Sequence, residues 1–422
     1  MKYSLQNIAD EMGMSLKTIR RFVASNELRT TKVNNTYSVS EEDFEAFKAY
    51  IKHGEDKKRF DSMAEGFLAP DDDSTYEKVS HKPNWVDITK VWNNVTVSNM
   101  TFVDLFCGAG GLSKGLEMAG LEGICGLDFF KEACMTYNRN FNHPFVNGDI
   151  RSEDIKQQFY ETVRQQLGGR KLNIVAGGFP CQGFSMAGNR IVDDPRNSLY
   201  KELIEVVKIL QPDFVICENV KGLRTMLGGR VEKKIIADFH NIGYEMNVET
   251  LCAADYYTPQ KRERVIFIGN RLGVKNLHPK PLLLPKDYIT TGDAISDLMN
   301  HPADPSFNHE PTKHRADMAQ RIMETPEGKS LYKGYSDAWK KCPWNEPSCT
   351  IKENHGGVNL HPKLPRVLTA REMARLQSFP DDFIFEGKKN KQLVQIGNAV
   401  PPLLGKAIGL AVRIANGDIE SI

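Results

Sequence analysis

A run of six residues, Thr101-Phe102-Val103-Asp104-Leu105-Phe106, leads directly into Cys107-Gly108-Ala109-Gly110-Gly111, and apolar residues then recur at helical spacing through residues 112–119. No other feature limits the fold as strongly. A short apolar run bounded by glycines reads as a buried strand, and the period that follows completes a strand–turn–helix unit. Further buried strands are expected at 123–128, 173–178, 214–218 and 265–269. Strands alternating with helices predict an α/β fold on a doubly wound, mostly parallel sheet. Such a sheet gathers its ligand-binding groups at the carboxyl ends of its strands.

The alternation lapses between about residues 271 and 365, where proline and histidine are frequent, and resumes with helices expected over 369–378 and 403–415. This predicts one α/β domain in two pieces, 100–298 and 346–422, with a small region, 299–345, inserted between them. The first 53 residues read as a separate module. Leu5, Ile8, Ala9 and Met12 share a helical face, Gly13 ends that helix, and Ser15 caps a second over 16–24. Residues 30–39 alternate around Asn34-Asn35, a hairpin signal, and Ser40-Glu41-Glu42-Asp43 has capping-box spacing before a third helix. Two helices joined by a tight glycine turn make a helix-turn-helix. With its hairpin, this module resembles winged-helix domains of MerR and excisionase type. That resemblance implies DNA binding through Lys17, Thr18, Arg20 and Arg21; a helical packing module is the alternative reading. Residues 54–99 read as an acidic linker, with Trp85, Val91 and Trp92 docking on the domain that follows.

The chain carries 55 basic and 54 acidic residues, a net charge of +1, so composition by itself selects no polyanionic partner. None of the eight cysteines is spaced as C-x-x-C, which argues against a zinc ribbon, and no metal site is expected. Apolar runs fall far short of a membrane span, and residues 1–7 lack the apolar segment of a secretory signal. A reducing, cytoplasmic location is expected.

Four groups carry chemistry. The Gly108–Gly111 turn lets backbone approach a ligand, and Asp128, at the next strand end, could accept hydrogen bonds from a ribose. The dinucleotide spacing fails because Ser113 stands at the last glycine place, and no G-K-[ST] follows for a phosphate loop. Pro180-Cys181-Gln182 follows a strand among turn residues, which places Cys181 as a nucleophile. Glu218-Asn219-Val220 ends another strand, where a carboxylate suits either proton transfer or a helix cap. Gln260-Lys261-Arg262-Glu263-Arg264 alternates so that Arg262 and Arg264 share a face; a solvated charge run is the plainer reading.

These groups, with 366–372 (Arg-Val-Leu-Thr-Ala-Arg-Glu) and 395–402 (Gln-Ile-Gly-Asn-Ala-Val-Pro-Pro), follow the block order of the DNA (cytosine-5)-methyltransferase family, which the chain resembles over about 100–298 and 345–415. The resemblance implies a Rossmann-like methyltransferase of restriction-modification type, bacterial or phage-encoded and monomeric on double-stranded DNA. It also implies S-adenosylmethionine as methyl donor and a flipped-out cytosine as substrate. On this resemblance Cys181 adds to cytosine C6, Glu218 holds or protonates N3, Arg262 stabilises the thiolate and the base carbonyl, and Arg264 supports it. Phe106 and Phe129 would meet the adenine. Gly108, Ala109, Gly110 and Gly111 would surround the methionine part. Asp128 would receive the ribose, where the family more usually has glutamate. Asp149 with Ile150 would meet the adenine edge, and Pro180, Leu199, Asn398 and Val400 complete the cofactor contacts. Gln182 and Ser185 would reach DNA from a closing loop, 182–198, while 299–345 takes the place of the target-recognition domain. Two rivals stay open: a tRNA cytosine-5 methyltransferase, and a transcriptional repressor using the fold as a scaffold. Residues 1–53 could repress the protein's own promoter or add affinity during methylation.

Overall fold

The computed structural model describes residues 2–11, 19, 23, 28, 30–33, 36–41, 43–45, 84–180, 195–332, 339–352 and 359–420. The chain divides into two compact units, Met1–Asp71 and Asp72–Ile422.

In the first unit β1 (Lys2–Ser4) leads into α1 (Leu5–Glu11), and β2 (Thr31–Val33) and β3 (Thr36–Ser40) pair antiparallel, with β1 on the other side of β3. Asn7 N–H donates to Ser4 Oγ and Ser4 N–H donates to Asn7 Oδ1, both at 3.1 Å, which satisfies orphan donors at the start of α1. At Ser40 the capping contact forms too: Asp43 N–H donates to Ser40 Oγ at 3.1 Å. Leu5, Ile8, Ala9, Ile19, Leu28, Val39 and Phe44 bury together. Strand β1 had no signal in the sequence, since three residues are too few for a period. Lys17, Thr18, Arg20, Arg21 and Asn34-Asn35 lie outside the described residues, as does linker segment 51–83.

In the second unit β4 (Trp85–Val86) pairs with β12 (His278–Pro279), beside a seven-stranded sheet. The sheet strands are β5 (Thr101–Leu105), β6 (Glu122–Asp128), β7 (Phe145–Asn147), β8 (Ile174–Gly177), β9 (Phe214–Val220), β10 (Glu245–Cys252) and β11 (Glu263–Asn270), in the order β10-β11-β9-β8-β5-β6-β7. Strands β5 to β9 pair parallel, and β11 runs antiparallel between β9 and β10. The sheet is therefore mixed but mostly parallel. β7 is very short, and β10 is an edge strand with only Met246, Val248 and Leu251 buried, so neither carries the continuous apolar run that marks the others.

Helices α2 (Gly111–Met118), α3 (Lys131–Asn140), α4 (Glu153–Leu167), α5 (Pro195–Leu210), α6 (Arg230–Asn241), α7 (Ala370–Leu376), α8 (Lys389–Asn398) and α9 (Pro402–Ala415) accompany the sheet. One core cluster joins sheet residues Phe102, Ile174 and Ile216 to Leu116 of α2 and to Leu404 and Ile408 of α9. Each such side chain contributes about 1.5–3 kcal/mol on burial. A second cluster sets Tyr137 and Phe141 against Met373, Phe379, Phe383, Phe385 and Ile396. The first cluster ties the C-terminal segment to the sheet, and the second ties it to α3.

Trp85, Val91 and Trp92 dock on the domain that follows, as expected: β4 pairs with β12, Trp85 sets its ring edge-on to His278 while staying 38% exposed, and Val91 and Trp92 pack into the first core cluster. One expectation needs correction. Residues 195–198, expected in the closing loop, instead open α5, where proline suits the first helical turn. Residues 299–332 hold a short helix, Ala316–Glu324, whose Ile322 packs with Leu360 and Val367. Among the described residues no helix is long and apolar enough to cross a membrane.

Candidate active site

Strand order reverses at β5, with β6 on one side and β8 on the other. A crevice opens at such a point outside the carboxyl ends of the strands. Here it is a cleft of about 1120 Å³, walled by the ends of β5, β6, β8 and β9, the start of β11 and the α8–α9 junction.

One half of the cleft is built on the glycine turn. Phe106 takes a left-handed backbone, φ 56°, which swings the chain out of β5. Asp128 clasps the turn: Oδ2 accepts from Gly108 N–H at 2.9 Å and Oδ1 from Phe130 N–H at 2.8 Å. Burial pushes the Asp128 carboxyl up, against the pull of these backbone donors. Phe129 stands beside it in the cleft wall, 73% exposed. Asp104, inside β5, is fully buried; its Oδ2 accepts from Ser113 Oγ at 2.6 Å while Oδ1 has no partner among the described residues. Burial raises its pKa to about 7.

The other half carries the charged groups. Arg264 Nε meets Glu218 Oε1 at 2.7 Å, both side chains largely buried. Arg262 is 2% exposed, with Nη1 donating to Ile351 O at 2.9 Å and Nη2 to Gly397 O at 3.1 Å. Its Nε has no partner among the described residues. Burial, reinforced by the nearby Arg264 charge, holds its pKa well below the arginine range. Asn219 Nδ2 donates to Phe179 O at 2.9 Å and so ties the segment ahead of Pro180 to β9.

A buried polar frame holds these pieces together. Gln260 Oε1 accepts from Ile351 N–H at 2.7 Å, and Gln260 Nε2 donates to Gln377 Oε1 at 2.8 Å and Leu376 O at 3.0 Å. Gln377 Nε2 in turn donates to Ile396 O at 2.7 Å. Arg366 forms a bidentate pair with Glu372, 2.7 Å at each contact, and Glu372 also caps α7 through Thr369. The block 366–372 is thus a structural clamp, and none of its residues lines the cleft.

The cleft brings together Phe106, Gly108, Ala109, Asp128, Phe129, Pro180, Leu199, Glu218, Arg262, Arg264, Asn398 and Val400. Gly110 and Gly111 sit behind the wall. Gly110 turns the chain at φ 90°, and a Cβ on Gly111 would stand 2.2 Å from Val400 O. Asp149 and Ile150 are also outside the wall: Asp149 pairs with Arg151, and Ile150 is buried. Cys181, Gln182 and Ser185 lie outside the described residues. Asp104 was missed as a site residue, although a carboxylate in an otherwise apolar strand is a readable signal. Among the described residues no cluster of His, Cys, Asp and Glu could hold a metal ion.

Residues 100–413 match the family described as C-5 cytosine-specific DNA methylase. The chain belongs to that family. It is a DNA (cytosine-5)-methyltransferase of the kind found in type II restriction-modification systems. The methylase is 37% identical over 333 residues to type II methyltransferase M1.HphI of Haemophilus parahaemolyticus, covering 75% of this chain and 88% of that one. It is 31% identical over 434 residues to M.Eco47II of Escherichia coli, covering 97% and 95%. Its fold matches the crystal structure of a protein described as a DNA modification methyltransferase encoded within an E. coli prophage, with TM-score 0.62, 25% identity, and coverage of 76% and 100%.

Proposed function

We propose that this methylase binds S-adenosylmethionine in the half-cleft of Phe106, Gly108, Ala109, Asp128 and Phe129, with Leu199, Asn398 and Val400 opposite. In this reading Cys181 attacks a cytosine flipped out of double-stranded DNA beside Glu218 and Arg262. The side chains present fit that cofactor. An exposed aromatic ring suits a purine, Asp128 suits ribose hydroxyls, and the unpartnered buried Oδ1 of Asp104 suits a cationic group. When bound, the cofactor supplies an activated methyl group.

The chain's own residues do the remaining work. Extruding the base costs about a few kcal/mol. The Cys181 thiolate bonds to C6, which makes C5 electron-rich. Glu218 gives or holds a proton at N3, so the ring avoids a full negative charge. The free Nε–H of Arg262 supplies a donor inside a dry site, where such a bond is strongest. Arg264 fixes Glu218. Later loss of the C5 proton restores the ring and releases Cys181.

The observation that carries this reading is the meeting, in one cleft, of the Glu218–Arg264 pair, the unsatisfied Arg262 Nε and the Asp128-clasped turn. Bisulfite sequencing of DNA from cells expressing the protein tests it. Protected cytosines within one short sequence are expected, and none with Cys181→Ser. Protection unaffected by that substitution overturns the role of Cys181. Calorimetry with S-adenosylmethionine, in which no heat of binding appears, overturns the cofactor assignment.

The same reading extends to the rest of the chain. Residues 1–53 form a DNA-binding helix-turn-helix module on a 54–99 linker, and 299–345 serves target recognition. Asp149 and Ile150 serve the adenine edge, Gln182 and Ser185 contact DNA, and the protein works as a cytoplasmic monomer. Support comes from the α1, hairpin and Ser40-capped segments of the first unit.

A further inference from the structure

Cys342 and Cys349 stand beside the cleft and have no part in the chemistry above. Their sulfurs are 3.9 Å apart. Cys342 is fully buried, while Cys349 is partly exposed. Asn359 Nδ2 donates to Cys349 Sγ at 3.1 Å. The contact shared with Cys342, helped by Lys340 and Asn359, holds the Cys349 thiol below its ordinary value against its burial; the same contact, with burial, pushes Cys342 up. Cys349 is thus the residue of the pair that is open to solvent, and Cys342 is the thiol buried behind it. A partly exposed thiol 3.9 Å from a buried resolving thiol is the arrangement of an oxidant-sensitive pair.

The backbone around each sulfur is anchored. Cys342 N–H donates to Leu360 O at 3.2 Å. On the other side, Ser348 N–H donates to Pro259 O and Lys261 N–H to Ser348 O, both at 2.9 Å. Thr350 Oγ1 donates to Lys261 O at 2.9 Å. Two residues past Cys349, Ile351 bonds Gln260 through its N–H and accepts from Arg262 through its carbonyl. The segment after Cys349 therefore sets where the Arg262 guanidinium sits.

We propose that Cys342 and Cys349 form a disulfide on exposure to peroxide and that closure displaces Ile351, and with it Arg262, so that methyl transfer falls reversibly. A disulfide needs sulfurs about 2.05 Å apart, so bonding draws Cys349 toward the anchored Cys342. In the first step the Cys349 thiolate attacks hydrogen peroxide, an S–O bond forms, the O–O bond breaks, and hydroxide leaves. In the second, the Cys342 sulfur attacks the Cys349 sulfenic acid. The S–S bond forms, the S–O bond breaks, and water leaves. Two thiols lose two electrons and two protons, and one peroxide becomes two waters. The effect on activity rests on the role proposed for Arg262; formation of the bond does not.

The test uses the full chain in two arms. Cys181→Ser protein, free of the competing nucleophile, is treated with one equivalent of hydrogen peroxide and digested without reductant. Expected is a cross-linked peptide joining Cys342 to Cys349, two hydrogens lighter than the reduced peptide and restored by dithiothreitol. Both thiols still open to alkylation, or Cys349 only as sulfinic acid, overturns the proposal. In the second arm wild type and Cys342→Ala are treated alike and assayed before and after dithiothreitol. Wild type should lose about tenfold more rate than Cys342→Ala, and recover it, since small displacements of a positioned group carry effects of that size or larger. Equal losses overturn the link to activity. A wild-type chain that transfers no methyl group before treatment counts against the catalytic reading, and the first arm then decides the pair alone.

Discussion

Glu218 and Arg264 meet at 2.7 Å across the antiparallel pair β9–β11. The register sets Ile266 opposite Glu218 and Val220 opposite Arg264, so the two side chains are diagonal neighbours on one face of the sheet. Gly178 leaves room beside the carboxylate: a Cβ there would lie 3.1 Å from Glu218 Oε2. One carboxylate oxygen is thus held by arginine and the other stands near the end of β8. The pair is a positioned carboxylate with a supporting cation.

Glu218→Gln should lower kcat by about 10²–10⁴-fold, the usual range for loss of a general acid or base, with little change in KM for DNA. Arg264→Lys keeps the charge but loses the directed Nε–H, so kcat should fall about tenfold with KM again steady. Steady-state kinetics on a duplex substrate check both. An Arg264→Lys enzyme with wild-type kcat contradicts the positioning role.

Asp104 gives the free protein a pH signature. Its carboxyl is raised to about 7 by burial, whereas in the unfolded chain it titrates at roughly 4. The stability that comes from keeping it protonated is complete below about 4 and is lost as pH rises to about 7. Asp104→Asn removes this loss. The melting temperature of the variant relative to wild type should therefore rise between pH 5 and pH 8, and melts of cofactor-free protein measure it. A difference that stays flat with pH contradicts the assignment.

The Arg366–Glu372 clamp is buried and bidentate, with His361 alongside. Burial alone would raise the Glu372 carboxyl, but Arg366 holds it below the ordinary value. Arg366→Ala leaves that charge without its partner and should cost about 3–5 kcal/mol of stability. kcat at a temperature where the variant stays folded should be close to wild type, because the clamp does not line the cleft. Urea unfolding and kinetics together separate the two effects. A large loss of kcat with unchanged stability contradicts a structural role.

Much of this architecture was legible because the signals were local. The strand of Thr101–Leu105, the glycine turn and the buried strands β8 and β9 each announce themselves within ten residues. Asp128 and Glu218 converge because each sits at the carboxyl edge of the parallel strands, which alternation and a parallel topology imply; Arg262 and Arg264 join them only because β11 runs antiparallel, which that topology does not imply. What was not legible depends on distant partners. Nothing near Asp128 in sequence says that one of its oxygens clasps Gly108, on the preceding strand's turn, and nothing near Arg262 says that its guanidinium is held by the carbonyls of Ile351 and Gly397. Gly111 looked like a ligand-facing glycine, yet it is required by Val400 O, almost three hundred residues away. Strand β10 was hidden because half of its side chains face outward.

The first unit should bind DNA without the second. A fragment ending at Asp71 should shift promoter DNA in a gel, and Arg20→Ala with Arg21→Ala should weaken the shift across sequences, because phosphate contacts carry most of such affinity. A shortened chain that begins near Ser80 should keep its methylated sequence. If it also keeps promoter binding, the proposal for 1–53 is contradicted. A raised KM for DNA that grows with salt assigns the module to methylation instead of regulation.

Every catalytic role proposed here depends on covalent attack by Cys181 on the target cytosine. Duplex DNA bearing 5-fluorocytosine at the methylated position isolates that step, since fluorine cannot leave as the C5 proton does. With S-adenosylmethionine present, the wild-type chain should form a complex that survives denaturation, and peptide mass analysis should place the DNA on Cys181. Cys181→Ser should form none. An adduct mapped to another residue, or efficient methylation of ordinary cytosine with no trapped adduct at all, contradicts attack by Cys181.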